Sequence, residues 1–372
     1  MRAKLSGLCV ATVLVCGVEA APAQDAFAKV DAVSARIAEA MRKYDVPGAS
    51  VAVFRNFEIE WARGYGLANV DTKQPVDSLT LFQAASISKP VAALVAMRLV
   101  QAGRLDLDKD VNTYLTTWKL PGNELTRATP VTLRQILSHT AGLSVHGFKG
   151  YEAGVPVPSV VQVLDGQPPA NSEAVRVTVA PQTKFEYSGG GYTILQQLLS
   201  DATHTPFAEL MRKEALDPLG MRFSTYEQPL AGEAAKFASA GHEKGKVIKG
   251  ERHTYPEMAA AGLSTTASDL ARFGIAVQRA RLGQGGSLLS RENALLMTTP
   301  VPLPEAFGLG LETFPPKEKE QKYFGHTGGN AGYRTWLLAS KEGGNGVVVL
   351  TNGDEWKAVK EIADAVREVY GF

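Results

Sequence analysis

The stretch that most limits what this chain can fold into begins at Ser86-Ile87-Ser88-Lys89. The run that follows, Pro90 to Gln101 (PVAALVAMRLVQ), is apolar, rich in Ala, Leu, Val and Met, and stops before Gly103. Such a run reads as a helix inside a core, ended by a glycine. Pro90 is compatible with it, because a helix starting near Ser86 places the proline in the first turn, where N–H groups have no intrahelical partner. Residues three apart share a helix face, so Ser86 Oγ and Lys89 Nζ can meet. A serine hydroxyl is a weak nucleophile until a neighbour takes its proton, and a desolvated lysine has a pKa low enough to do so. The helix start also gathers backbone N–H groups where an oxyanion would form. The same two residues equally describe an ordinary helix cap beside a solvated lysine, so the pair gains meaning only from other motifs.

At 372 residues, with 45% hydrophobic and 21% charged residues, the chain has enough apolar mass for one large core or two lobes. A formal net charge of +1 and the lack of a basic tract give no electrostatic case for a nucleic-acid partner. At the N-terminus, Arg2 and Lys4 precede an apolar stretch, Leu5 to Val18, too short to span a bilayer. Ala21-Pro22-Ala23 supplies the small residues a signal peptidase reads, so residues 1–23 are expected to be a signal peptide cleaved before Gln24. The competing reading is an uncleaved anchor. Cleavage leaves a periplasmic or secreted protein without membrane insertion. Both cysteines, Cys9 and Cys16, lie in the removed segment, which excludes cysteine catalysis and thiolate metal sites from the mature chain.

Residues 26–44 carry apolar positions at helical spacing, and Ala49 to Phe54 with Glu58 to Gly64 read as two strands around Arg55-Asn56. A Pro-, Thr- and Gly-rich middle follows, with helices expected near 132–138, 192–201 and 205–216. The segment 145–175 has no clear period and reads as a loop over a cleft. Thr335 to Ser340 and Gly346 to Thr351 read as strands, and Lys357 to Tyr370 as a helix. The expected fold class is α+β: a single domain over 24–372, with a sheet lobe (about 24–80 and 262–372) and a mainly helical lobe (about 81–261). Ser86 falls at their junction, a usual place for a pocket.

Two further stretches suit a serine–lysine site. Tyr187-Ser188-Gly189-Gly190-Gly191-Tyr192 is a glycine-rich loop entering an apolar helix. A tyrosine beside a cationic lysine ionises more easily and can shuttle a proton. His326-Thr327-Gly328-Gly329-Asn330 precedes the strand at Thr335. An edge strand beside the nucleophile can offer a backbone N–H to an oxyanion, and glycines allow close approach of substrate. Each stretch taken alone is also a plain turn. His139 reads as a turn buttress, and His146, His204, His242 and His253 show no metal-binding spacing, so neither metal nor cofactor is expected.

Together the three motifs resemble the serine β-lactamase and penicillin-recognising superfamily, in its class C-like branch. That branch holds class C β-lactamases, DD-peptidases, D-aminopeptidases and family VIII carboxylesterases. Its signatures, S-x-x-K, then Y-x-N, then [KH]-[TS]-G, stand here as Ser86/Lys89, Tyr187 and His326-Thr327-Gly328. Phe82-Gln83-Ala84-Ala85, Leu137 to Leu143 (LSHTAGL) and Ala261 to Leu270 (AGLSTTASDL) add to the likeness, which runs from about residue 28 to 370. The resemblance implies a β-lactamase/transpeptidase-like fold, an antiparallel sheet flanked by helices, and an acyl-enzyme on Ser86 formed without cofactor. Lys89 and Tyr187 would move the protons, and the N–H groups of Ser86 and Gly329 would hold the oxyanion. His326, Thr327, Gly328 and Gly189 would contact a small-molecule or peptide substrate.

The chain departs from that pattern twice. Gly189 stands where asparagine is usual, and His326 stands where β-lactamases carry lysine. A mostly neutral histidine would hold a substrate carboxylate only weakly and at low pH. The expectation is therefore an esterase or a hydrolase of D-amino-acid amides and peptides. A β-lactamase or DD-carboxypeptidase is the alternative within the fold. A binding or sensor domain disabled by Gly189 is the alternative of a different kind.

Overall fold

In the computed structural model, residues 21–303, 307–314 and 322–372 are described; the part of the expected signal peptide before Ala21 lies outside them. The central strand β1 (Gly48–Arg55, GASVAVFR) is buried along almost its whole length. That is what a Val- and Ala-rich run becomes when both sheet faces are covered. It turns at Asn56 and Phe57, whose φ values of 51° and 66° are those of a two-residue hairpin with both central residues left-handed. The chain returns as β2 (Glu58–Asn69), and the short β3 (Gln74–Pro75) completes that edge. On the other side of β1 lie strands from the far end of the sequence: β4 (Tyr323–Asn330), β5 (Tyr333–Ser340) and β6 (Gly346–Thr351). The order is β3-β2-β1-β6-β5-β4, with every pairing antiparallel. The link between the two ends is the β1–β6 ladder, where Ala49 faces Thr351 and Val53 faces Val347.

One face of the sheet is covered by α1 (Ala21–Lys43) and α6 (Trp356–Tyr370). Val33, Ile37, Val359 and Ile362 from these helices pack on Val51, Val53, Val347 and Val349. The second face packs into a larger core shared with the helical lobe, where α2 (Ser88–Gln101), α3 (Gly189–Thr203) and α5 (Ala267–Arg281) are buried. Among the described residues no helix is long and apolar enough to cross a membrane.

Three local differences from the sequence-based expectation shape the site. Helix α2 begins at Ser88; Ser86 itself sits in a 3₁₀ turn, Ala85–Ile87. The chain leaves the short strand Phe82–Gln83 and must reverse sharply, and Ala85 makes the bend with a left-handed φ of 51°. Second, residues 323–330 are a strand in their own right, the edge strand β4, in register with β5 so that His326 faces Leu337 and Gly328 faces Thr335. Third, the segment read as a loop contains a helix, Val160–Asp165, started by the reciprocal cap of Ser159 and Gln162.

Candidate active site

Ser88 fixes the turn that carries Ser86. Its hydroxyl donates to the Ala85 carbonyl (2.6 Å) and accepts from Leu263 N–H (2.9 Å), while Tyr226 donates to the Ser88 carbonyl (2.7 Å). Lys89 then points its amine at two oxygens, Ser86 Oγ at 2.9 Å and the Ala260 carbonyl at 2.8 Å. The second oxygen comes from α4 (Met258–Ala261), whose backbone passes beside the α2 start. Lys89 is 2% exposed, and this burial lowers its pKa to about 7 against an opposing attraction from Glu312. A lysine in that state is half deprotonated near neutrality and can accept the Ser86 proton.

Tyr187 covers the pair, its ring centroid 5.0 Å from Lys89 Nζ. Burial pushes its hydroxyl pKa upward, and the neighbouring Ser86 side chain only partly offsets the rise. The free protein therefore holds Tyr187 as a neutral phenol, a proton donor and relay and not a standing phenolate. Its ring is seated by His139, stacked at 4.2 Å between centroids, whose Nδ1 accepts the Ser188 N–H at 3.0 Å. The turn buttress read from sequence thus buttresses the tyrosine. Burial and the nearby Lys89 hold His139 well below its usual pKa.

Edge strand β4 runs along the other side of Ser86. Gly325 N–H and Thr327 N–H both point outward, to Glu312 O (3.0 Å) and Glu312 Oε1 (3.3 Å), away from β5. Antiparallel strands alternate the direction of successive N–H groups, so the Gly329 N–H also faces the open edge. Ser86, Gly328 and Gly329 line one cavity of about 550 Å³, with Lys89 and Tyr187 in its wall. Aromatic rings of Phe148, Phe185, Phe307, Phe314 and Trp356 also line it.

A family model described as Beta-lactamase matches residues 33–371. The chain belongs to the beta-lactamase family. Among curated relatives, Protein flp of Staphylococcus aureus (strain N315) is 24% identical over 325 residues, 84% of this chain and 61% of that protein. Esterase EstB of Burkholderia gladioli is 30% identical over 227 residues, 58% of this chain and 55% of that protein. The chain thus spans about three fifths or less of the length of these two relatives. Among solved structures, the octameric penicillin-binding protein homologue from Pyrococcus abyssi superposes with a TM-score of 0.75 at 24% identity, covering 92% of this chain and 77% of that one. The fold is the one that class C β-lactamases share.

Against that family pattern, two expectations from the sequence need correcting. His326 does not line the cavity. It packs behind Tyr187 and Phe307, buried like Phe324 two residues earlier on β4, and is 1% exposed. Its Nδ1–H donates to the Thr327 carbonyl (2.5 Å), and burial beside Lys89 takes its pKa to about 3. It is neutral at every working pH and cannot grip a carboxylate as a cation. Gly189 also stays out of the cavity: it starts α3, its N–H donates to the His146 carbonyl (3.0 Å), and Phe148 occupies the space beside it. A Cβ at Gly189 would already lie 3.0 Å from Phe148 Cε2, so the loop 146–148 fills the volume an asparagine side chain would need.

Sequence reasoning missed Glu312. It lines the cavity, and its Oε1 accepts from Thr327 N–H and from Thr327 Oγ1 (3.0 Å). The legible signal was Gly308-Leu309-Gly310-Leu311, glycines alternating with leucines. Gly310 has a φ of 97° and packs where a Cβ would collide with Ala93 of α2, which brings the next residues beside Lys89. The aromatic walls carried no motif at all.

Proposed function

We propose that this protein is an exported serine hydrolase that acts through an acyl-enzyme on Ser86, on small esters or on D-amino-acid-containing amides and peptides. The observation that carries the reading is the buried amine of Lys89, 2.9 Å from Ser86 Oγ and with its pKa near neutrality. Ser86 Oγ attacks the substrate carbonyl as its proton passes to neutral Lys89. The tetrahedral oxyanion is held by the Ser86 and Gly329 N–H groups. Collapse expels the leaving group, which takes a proton relayed through Tyr187 and Lys89. Water, or an amine or alcohol acceptor, then attacks the ester in the reverse sense. The aromatic cavity and the buried, uncharged state of His326 favour substrates with a neutral leaving side over carboxylate-bearing β-lactams, and the esterase name of one relative agrees with this.

A fluorophosphonate probe tests the reading and its alternative, a domain that binds without turnover. Ser86 should label, and the labelling rate should rise with pH through about 7 as Lys89 loses its proton. An unlabelled serine would favour the binding domain, and a rate that is flat from pH 5.5 to 8.5 would remove Lys89 as the base. Export is part of the proposal, on the strength of the Arg2/Lys4 start, the Leu5 to Val18 run and Ala21-Pro22-Ala23. Intact mass of the protein recovered outside the cytoplasm should begin at Gln24, whereas retention of residues 1–23 would mean an anchored form.

A further inference from the structure

We propose that Glu312 makes the pocket a charge filter, favouring leaving groups that carry an ammonium and rejecting those that carry a carboxylate. The inference rests on the proposed acylation of Ser86 only for where the leaving group lies, along β4.

Glu312 is built into that wall and is not a surface residue that happens to be near. Its backbone bridges Gly325 of β4 in both directions, Glu312 N–H to Gly325 O (2.9 Å) and Gly325 N–H to Glu312 O (3.0 Å). Its Oε1 is clamped by the two hydrogen bonds from Thr327. The side chain is 22% exposed, toward the cavity, and among the described hydrogen bonds none reaches Oε2. One carboxylate oxygen is thus held and the other faces the cavity. Burial raises the Glu312 pKa, while the two Thr327 hydrogen bonds and the Lys89 charge oppose that rise by favouring the carboxylate form.

Among the described residues, the positive groups nearby do not neutralise it for an incoming anion. Lys89 is committed to Ser86 and the Ala260 carbonyl and must be neutral when it works as a base. His326 Nδ1 lies 3.6 Å from Oε1 but the ring is buried and uncharged. Arg334 stands at the rim, its guanidinium 5.3 Å from the Trp356 ring centroid and its Nη1 bonded to the Asn330 and Tyr333 carbonyls. His146 is the remaining titratable side chain of the lining outside the Ser86 group. A substrate carboxylate entering beside Thr327 therefore meets a carboxylate at short range in a half-desolvated site, where charge interactions are several times stronger than in water. An ammonium in the same place meets a fixed partner.

The test uses three matched butyrate esters: 4-(aminomethyl)phenyl, 4-(hydroxymethyl)phenyl and 4-(carboxymethyl)phenyl. Equilibrium affinity is measured at pH 7.5 on Ser86→Ala protein, which does not consume them, and kcat/KM on wild type. The Ser86→Ala protein should prefer the ammonium ester to the carboxylate ester by roughly 30-fold or more, with the neutral ester between. Adding Glu312→Gln should shrink that preference to about 3-fold or less, and 1 M NaCl should reduce it in the Ser86→Ala protein itself, which needs no second variant to fold, by less than the charge-removing substitution does because the site is partly buried. Equal affinities, a preference for the carboxylate ester, no measurable binding, or a preference that survives both Glu312→Gln and salt would overturn the filter. Absence of turnover by wild type with the affinity order intact would sink the hydrolase reading and leave the filter standing.

Discussion

Ser86→Ala and Lys89→Ala should each lower turnover of every accepted substrate on the order of 10⁴-fold, and the double variant should be no worse than either. The reason is geometric: the Lys89 amine has one reactive partner, Ser86 Oγ at 2.9 Å, so each residue is idle without the other. Steady-state kinetics on a neutral ester settles this, and multiplied losses in the double variant would mean that Lys89 acts on something other than Ser86. Lys89 offers a second readout. Its pKa falls from 10.5 to about 7 on burial, so folding expels a proton between those values. The unfolded chain binds more protons there, so the lysine's contribution to stability rises with pH from about 7 to 10.5 and is most unfavourable below 7. The penalty at neutral pH is about 3 to 5 kcal/mol, less what the hydrogen bond to the Ala260 carbonyl returns. Lys89→Met should accordingly be inactive yet more stable by ~1–3 kcal/mol at pH 7, with the difference fading toward pH 10. Thermal or urea unfolding at the two pH values measures it, and a methionine variant less stable than wild type would contradict the buried, strained lysine.

Gly328→Ala should be the most damaging single methyl in the site. A Cβ there would collide with the Ala84 carbonyl oxygen and with Thr335 Oγ1, and would lie 3.1 Å from Ser86 N. Two of these three are backbone atoms of the nucleophile turn, which no rotamer change can clear. Strand β4 would have to move away from Ser86 and carry the Gly329 N–H with it. Loss of one oxyanion donor costs on the order of 10² to 10³ in kcat, and overpacking adds about 1–3 kcal/mol of instability. Gly329→Ala is the control, because its Cβ would meet Trp356 Cζ2 at 3.0 Å and then only Arg334 side-chain atoms at 3.6 Å. Trp356 is 45% exposed and free to swing, so that variant should lose less than about 10-fold. Similar kcat losses in the two variants would show that close approach of β4 to Ser86 does not matter.

Much of this arrangement was readable along the chain wherever a local pattern had one physical outcome. The apolar run after Lys89 reads as a buried helix and the Val-rich runs at 49–54 and 346–351 as strands, and each is found so, the strands being covered on both faces by the tertiary structure. The Ser86/Lys89 spacing brings the two side chains together whether the residues start an α-helix or, as found, a 3₁₀ turn running into one. The class C-like resemblance likewise placed the fold, since six ordered motifs leave little freedom in how the chain is threaded.

What the sequence by itself determined, then, is the set of elements, the family and the pairing of Ser86 with Lys89, because these follow from spacing within a few residues. The tertiary structure alone decided the electrical character of the pocket. Whether a histidine on β4 faces substrate or the core depends on what Tyr187 and Phe307 leave uncovered, and here His326 is turned inward and stays neutral. Whether Gly189 opens a space depends on the loop 146–148 folding into it, which brings Phe148 to the cavity instead. Glu312 reaches the site only because Gly310 lets its segment pack against α2 and bridge β4. Burial, and with it charge, is set by contacts among residues far apart in the chain, and local periodicity carries no record of them.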